Sequence, residues 1–221
     1  MSKIIMSGGG KGGVGKSAIT LGVVDTLLEA GKQVVLVETD NSNPDAYKSL
    51  NELVTAEICN MDTEKGYFYF GEIIAQYPDA YIVVNTAARN KEQLEKFGKY
   101  LTDAATEAKR ELLMLWTINR QRDVLELLDN FMDMEHPFTA TYVVKNLYWG
   151  TDDDFVLYNE SNVKKRVNAT ISYPSLHDVV ADKLNRKRLA LSNAGAELHT
   201  MERSALYRYR TAVHAAFKVL V

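Results

Sequence analysis

The stretch Gly8-Gly9-Gly10-Lys11-Gly12-Gly13-Val14-Gly15-Lys16-Ser17 follows the short apolar segment Ile4-Ile5-Met6, from which only Ser7 separates it. It contains the pattern G-x-x-x-x-G-K-[ST], the signature of a phosphate-binding loop. Glycine is needed because successive backbone N–H groups turn inward around a polyphosphate, in conformations that a residue with a Cβ tolerates poorly. The stretch therefore predicts a strand, a glycine-rich loop and a helix that begins near Ser17.

Two side chains of this loop have predicted roles in binding a nucleotide such as ATP. Lys16 would place a positive charge on the β- and γ-phosphates, and the Ser17 hydroxyl would bind Mg²⁺. The positive end of the following helix would face the same anion. A glycine-rich turn with a solvated lysine is the alternative interpretation. The predicted nucleotide contacts are Gly10, Lys11, Gly12, Gly13, Val14, Gly15, Lys16, Ser17 and Ala18.

Length and composition predict one α/β domain over residues 1–221. The chain has 221 residues and 46% hydrophobic content, enough to bury a substantial core. No apolar stretch approaches the roughly 20 residues of a membrane span, so we expect a cytoplasmic protein. Cys59 is the single cysteine, which excludes an intramolecular disulfide and fits a reducing compartment.

Strand and helix patterns alternate along the chain, which predicts a mainly parallel, twisted sheet with helices on both faces. The loops that follow the strands would then lie at one edge of the sheet, beside the phosphate loop. Predicted strands lie near Lys3–Ser7, Gln33–Glu38, Tyr81–Asn85, Leu112–Ile118, Thr141–Lys145 and Ala169–Ser172. Predicted helices are Ser17–Ala30, Asp45–Val54, Glu92–Ala108, Asp123–Met134, Ser175–Leu191 and Glu197–Leu220.

Polar residues stand at the predicted ends of several strands. The second strand runs into Glu38 and Asp40, and the third ends in Asn85. Phosphoryl transfer needs an aligned nucleophile and neutralised charge, so one carboxylate near Mg²⁺ and the γ-phosphate is chemically adequate. The alternative is that Asp40 only caps the next turn.

Two asparagines are candidates for reading the base. Asn119 and Asn146 each follow a predicted strand, and an amide offers the donor and acceptor that an adenine edge requires. We favour Asn146.

The C-terminal end is basic. From Lys183 to Val221 there are eight basic and two acidic residues, a balance of +6, so a net charge of −3 leaves −9 for the remainder. A helical basic segment at about 175–221 could make weak contact with DNA or bind an acidic partner, although solvated basic helix faces are common. Its last helix could also touch a membrane surface, but packing on the body is commoner.

The loop resembles the deviant Walker A motif of the ParA/MinD ATPases, because Lys11 heads the run K-G-G-V-G-K-S. The resemblance implies a P-loop NTPase fold and an ATP-dependent homodimer in which Lys11 reaches the phosphates held by the partner subunit. It implies catalytic roles for Lys11, Lys16 and Asp40, with Asp40 orienting the attacking water. It also implies Mg²⁺ contacts from Ser17, Asp40 and the position of Asn85. Family members usually carry an aspartate where Asn85 stands, and an amide cannot supply that charge, so we expect slow ATP hydrolysis.

Two later segments resemble the plasmid StbB/TraL/MobD group. They are V-V-K-N-L-Y-W-G, which contains Asn146, and Val167–Leu176. This resemblance implies an accessory ATPase of plasmid stability, partition or conjugative mobilisation, with a plasmid-encoded protein partner. Two other classes stay open: a non-hydrolysing nucleotide-dependent interaction module, and a small-molecule ATP-dependent enzyme similar to dethiobiotin synthetase. Against the second, the sequence shows no further polar cluster suggesting a metabolite pocket.

Overall fold

The computed structural model describes residues 2–87 and 91–221 and contains a seven-stranded parallel sheet in the order β3-β2-β4-β1-β5-β6-β7. The strands are β1 (Ile4–Gly8), β2 (Val34–Glu38), β3 (Thr55–Ile58), β4 (Tyr81–Asn85), β5 (Leu112–Ile118), β6 (Ala140–Asn146) and β7 (Ala169–Tyr173). Because the strands are parallel, their carboxyl ends meet at one edge of the sheet, as expected. The predicted fold class is confirmed.

Eight α-helices connect and cover the described strands. They are α1 (Lys16–Glu29), α2 (Asp45–Leu50), α3 (Glu64–Gln76), α4 (Lys91–Glu107), α5 (Arg122–Asp133), α6 (Val156–Asn159), α7 (Asp178–Lys187) and α8 (Thr200–Phe217). A short 3₁₀ helix, Lys218–Leu220, continues α8. None of the described helices is long and apolar enough to cross a bilayer.

The helices form a layer on each face of the sheet. Successive residues of β1 show the division, since Ile4 packs in one core with α3, α4 and α5, and Ile5 in the other with α1, α2, α7 and α8. Both side chains are fully buried. Central strands covered on both faces are expected to be apolar throughout, as β1 and β4 are.

The sequence prediction missed one strand, β3, and two helices, α3 and the four-residue α6. The edge strand β3 is only partly buried, so its residues lack the apolar run that marks the central strands. Helix α3 contains Gly66 and Gly71, which lower helix propensity. The Thr63 side chain begins this helix by accepting a bond of 3.2 Å from the Gly66 N–H.

Several predicted helix boundaries were also wrong. Helix α2 ends at Leu50, four residues before the predicted end, and α7 covers only 178–187 of the predicted 175–191. Arg188 ends α7 in a left-handed conformation with φ of 52°. The last predicted helix starts later, at Thr200, where Glu202 accepts a bond of 2.9 Å from the His199 N–H.

Helix α8 packs on α1 through a buried charged cluster. Asp25 of α1 is 3% exposed and accepts bonds from Arg210 Nε at 2.9 Å and from Arg210 Nη2 at 3.0 Å. His214 Nε2 lies 2.7 Å from the same carboxylate. The cluster fixes the C-terminal helix to the helix that follows the phosphate loop.

Candidate nucleotide-binding site

The glycine-rich loop joins β1 to α1 and has the backbone conformations that require glycine. Gly13 has φ of 77° and Gly15 has φ of 108°. A Cβ on Gly15 would also collide with the side-chain amide of Asn146. Gly15 immediately precedes α1, so the first free N–H groups of that helix open toward the loop. This is the arrangement that binds phosphate.

Lys16 is partly buried at the base of the loop. Its Nζ donates a hydrogen bond of 3.1 Å to the Lys11 carbonyl. Burial lowers the pKa of Lys16, and the negative charge of Asp40 opposes that shift. A polyphosphate would supply further negative charge and favour the protonated amine.

Lys11 lies at the rim of the loop and contacts its own chain. Its Nζ forms an ion pair with Asp123 at the start of α5 and donates to Gln121 Oε1 at 2.9 Å. The Lys11 side chain is 40% exposed, and its hydrogen bond to Asp123, together with its charge, lowers the pKa of that carboxyl. Lys11 is thus held to the start of α5 of the same subunit.

Asn85 lies at the centre of a buried polar cluster at the carboxyl end of β4. Its amide nitrogen donates to both oxygens of Glu38, at 2.9 and 3.0 Å, and lies 3.4 Å from Ser17 Oγ. Its oxygen accepts a bond of 3.1 Å from Thr20 Oγ1. The structure thus brings Asn85 to the Ser17 hydroxyl, and it adds Glu38, which was not among the predicted site residues.

Glu38 is fully buried and well bonded. Besides the Asn85 amide, it accepts from the N–H of Asp40 at 3.1 Å and of Tyr47 at 3.4 Å. Burial raises the pKa of Glu38, and these hydrogen bonds oppose the shift. Its position at the end of β2 was visible in the sequence, but its pairing with Asn85 depends on strand order and register.

Asp40 follows β2 and turns back on its own loop. Its Oδ1 accepts from the N–H groups of Ser42 at 3.0 Å and Asn43 at 3.1 Å, and from the Ser42 hydroxyl. The Ser42 hydroxyl makes the largest contribution to lowering the pKa of Asp40, and the charge of Lys16 adds to it. Asp40 therefore caps its turn, and its negative charge interacts with the positive charge of Lys16 in the phosphate loop.

The two candidate base-reading asparagines occupy different surroundings. Asn146 donates to the Val14 carbonyl at 2.9 Å and accepts from the Tyr148 N–H at 3.1 Å, so it ties β6 to the phosphate loop. Asn119 bonds Gln121 within its own turn. Only Asn146, of these two, lines a cavity of about 470 Å³ that also contacts Ala18, Tyr148 and Pro174.

The geometry is compatible with Mg²⁺ bound through a nucleotide. Among the described residues, no group of three or more His, Cys, Asp or Glu side chains is arranged to hold a metal. Mg²⁺ usually keeps several waters and is bound by one or two protein oxygens together with substrate phosphates. Ser17 Oγ provides one such oxygen beside the Asn85–Glu38 pair, and Asp40 lies on the neighbouring loop.

At least three of the eight basic residues of the C-terminal segment take part in ion pairs. Lys183 contacts Glu202 at 2.6 Å, Lys187 pairs with Glu197, and Arg210 pairs with Asp25. These pairs include both acidic residues between Lys183 and Val221, Glu197 and Glu202.

Residues 5–165 match the family model described as the CobQ/CobB/MinD/ParA nucleotide binding domain. Protein MobD of Acidithiobacillus ferrooxidans is 40% identical over 211 residues, covering 94% of this chain and 92% of MobD. Protein TraL of Escherichia coli is 26% identical over 196 residues, covering 80% and 79% of the two chains.

Two solved MinD structures have a similar fold. MinD of Aquifex aeolicus has a TM-score of 0.59 at 15% identity, covering 99% of this chain and 97% of that protein. MinD of Pyrococcus horikoshii, solved with Mg-ADP, has a TM-score of 0.59 at 14% identity, covering 99% and 96%. At such low identity the likeness shows the fold alone.

Proposed function

The chain belongs to the CobQ/CobB/MinD/ParA nucleotide-binding domain family, and from that premise we propose that it is an ATP-dependent switch protein that dimerises around Mg²⁺-ATP. The observation that best supports this proposal is the meeting of Lys16, Asp40 and the Asn85–Glu38 pair around one glycine-rich loop. The proposal treats residues 1–221 as one P-loop ATPase domain that acts in the cytoplasm.

The proposed nucleotide contacts use the loop and the cavity beside it. The loop N–H groups and Lys16 bind the phosphates, and Ser17 binds Mg²⁺. Asn146 contacts the base from the wall of the adjoining cavity, since its amide uses one N–H and one lone pair in the contacts described above.

The proposed chemistry is slow ATP hydrolysis. Asp40 orients the attacking water, and its lowered pKa keeps it ionised at neutral pH. Asn85 takes the place of a carboxylate near Mg²⁺ but is bonded to Glu38, so we assign to Glu38 the negative charge that Asn85 lacks. Burial penalises that charge, which supports weak rather than strong Mg²⁺ binding.

The proposed dimer uses Lys11 across the subunit interface. The Lys11–Asp123 ion pair must then break when ATP is bound, because one amine cannot remain on α5 and also reach the partner subunit's phosphates. Binding of ATP would thus break the exposed Lys11–Asp123 ion pair within the subunit and allow Lys11 to contact the phosphates of the partner subunit.

The proposed biological role is in plasmid stability, partition or conjugative mobilisation. It rests on the similarity to MobD and TraL over most of the chain. A plasmid-encoded protein would be the partner, and the C-terminal segment would give the dimer weak affinity for DNA. Ion pairing of Lys183, Lys187 and Arg210 reduces the charge available for that contact.

A comparison of ATP turnover under three conditions tests this function. Turnover is measured for the protein alone, with plasmid DNA, and with the products of neighbouring plasmid genes, with Lys16→Ala as the background control. Stimulation by DNA or a protein supports the switch. Turnover that depends on a small acceptor would support the metabolic-enzyme alternative, and tight ATP binding without turnover would support the interaction module.

A further inference from the structure

The cavity that Asn146 lines has an exposed aromatic residue in its wall. Tyr148 follows Asn146 by two residues and is 60% exposed. Its backbone N–H donates to the Asn146 side-chain oxygen at 3.1 Å, which fixes the two residues relative to each other. Aromatic side chains bind nucleobases by stacking, because every base has a flat π-face. A base that contacts Asn146 would therefore lie close to the Tyr148 ring.

Tyr148 differs from the other tyrosines of the described wall in being free to stack. Tyr173 and Tyr209 are buried, and their hydroxyls bond each other. The Tyr148 ring instead contacts Trp149, with the centroids 5.3 Å apart and the ring planes at 88°. In such an edge-to-face pair, Trp149 leaves at least one face of the Tyr148 ring uncovered.

The segment that carries Tyr148 is fixed to the rest of the fold. Asp152 forms an ion pair with Lys145 of β6, whose side chain is only 8% exposed. Arg120 donates a hydrogen bond of 3.2 Å to the Trp149 carbonyl. A ring that is already held in place loses little conformational freedom when a ligand stacks on it, which favours binding.

The charges in the cavity wall indicate which part of a nucleotide it suits. Asp178 and Asp182, about one turn apart on α7, line the cavity, and no Lys or Arg side chain lines its described part. Carboxylates repel phosphate but accept hydrogen bonds from hydroxyl and amino groups. The volume of about 470 Å³ is within the usual range for small-molecule sites. The cavity therefore suits the base and sugar, with the phosphates on the glycine-rich loop.

We propose that Tyr148 stacks on the nucleobase and makes the site prefer purine to pyrimidine nucleotides. The inference rests on the proposed function, because it requires the phosphates on the glycine-rich loop and the base beside Asn146. The two fused rings of a purine cover more of the tyrosine ring than the single ring of a pyrimidine. Pro174, which follows β7, adds an apolar wall to the same cavity. Tyr148 is thus a specificity-determining residue that contacts the base and takes no part in the chemistry.

Matched ligands separate the contribution of the base from that of the phosphates. Calorimetry measures the binding of ATP, CTP and inorganic tripolyphosphate, each with Mg²⁺, to the full chain. Tyr148→Ala should weaken ATP binding by at least about 5-fold, the lower end of what one base–aromatic stack contributes, and leave tripolyphosphate affinity unchanged. The preference for ATP over CTP should shrink in the same variant. Tyr148→Phe retains the ring and should bind ATP as the wild type does. Tyr207→Ala removes an exposed tyrosine of α8 outside the cavity and is the matched control.

A fluorescent base reports the stack directly. The riboside triphosphate of 2-aminopurine loses fluorescence when its base stacks on an aromatic ring. At saturating protein, the wild type and Tyr148→Phe should quench it, and Tyr148→Ala should quench it much less. Unchanged ATP affinity of Tyr148→Ala, or equal quenching by that variant, would overturn the stacking assignment and leave the nucleotide site intact. Failure of the wild type to bind ATP would contradict the proposed function and this inference together. Circular dichroism verifies the fold of each variant.

Discussion

Lys11 forms an ion pair with Asp123 of its own chain, across 112 residues of sequence, and thereby links the rim of the phosphate loop to the start of α5. Both side chains are substantially exposed, so the pair is accessible to competition from phosphate. An exposed ion pair contributes little to stability. The ion pair matters because it holds the Lys11 amine, which the proposed dimer needs for contact with the partner subunit's phosphates.

Removing the Asp123 charge should therefore favour the dimer. Asp123→Asn keeps the shape of the side chain but frees Lys11, and we expect ATP-dependent dimerisation to tighten a few-fold, since exposed pairs are weak. Analytical ultracentrifugation with Mg²⁺-ATP measures the dimer dissociation constant. Asp129→Asn, in the same helix but paired with Arg166, is the control and should leave the constant unchanged. Weaker dimerisation of Asp123→Asn would show that the pair supports the dimer instead.

The contact between Asn85 and Glu38 predicts that the effect of Asn85→Asp depends on whether Glu38 carries a charge. Asn85→Asp alone places two carboxylates within hydrogen-bond distance, so we expect lower thermal stability without Mg²⁺ and partial recovery with Mg²⁺-ATP. Asn85→Asp combined with Glu38→Gln restores one amide and one carboxylate and puts the charge nearer Ser17. The double variant should bind Mg²⁺ in the presence of ATP several-fold more tightly than the wild type.

Thermal scans and Mg²⁺ titrations of the single and double variants measure these effects. Glu38→Gln alone is the matched control, because it has neither carboxylate and should bind Mg²⁺ most weakly. Equal Mg²⁺ affinity in all four proteins would show that neither side chain influences the metal.

Burial of Glu38 also predicts a pH effect on stability. Its folded-state pKa is raised above the ordinary value of 4.5, so the folded chain binds this proton more tightly than the unfolded chain. The corresponding stability is present below pH 4.5 and is lost as pH rises through the folded-state pKa. The melting temperature of the wild type should therefore fall relative to that of Glu38→Gln as pH rises from 4.5 toward neutrality.

A pair of melting curves across this pH range measures the effect. Exposed Glu72→Gln serves as the control and should remain parallel to the wild type. A melting-temperature difference between wild type and Glu38→Gln that stays constant over the range would contradict the raised pKa.

The basic C-terminal segment predicts weak, sequence-independent DNA binding by the ATP-bound dimer. Replacing Arg186, Lys187 and Arg188 with glutamine should make the slope of log affinity against log salt shallower, by about 0.9 for each phosphate that is no longer neutralised. Lys187 is already paired with Glu197, so a smaller change is expected from this residue than from Arg188. Fluorescence anisotropy at several salt concentrations measures the slope, with Lys99→Gln as control. No binding at low salt would leave the segment as a protein-facing or solvated surface.

The sequence predicted the features that depend on neighbouring residues. The loop from Gly8 to Ser17 has a strong local signal because glycine conformation and the following helix are both determined locally. The parallel sheet followed from alternation of strands and helices. The prediction missed β3, where half-exposed residues give little periodicity, and α3, where glycines interrupt the helical pattern.

Contacts within the site depend on strand register, which the sequence did not reveal. Glu38 and Asn85 are partners in the pairing of β2 with β4, although 47 residues separate them. Their shared cluster follows from β4 lying between β2 and β1. Likewise, Asp123 reaches Lys11 only because α5 begins beside the phosphate loop.

The most direct test of the proposed switch separates the two lysines. Light scattering measures molar mass with and without Mg²⁺-ATP, and calorimetry measures ATP binding, for the wild type, Lys16→Ala and Lys11→Ala. We predict that ATP doubles the mass of the wild type, that Lys16→Ala loses ATP binding, and that Lys11→Ala binds ATP but remains a monomer. An ATP-dependent dimer of Lys11→Ala as stable as that of the wild type would contradict the account.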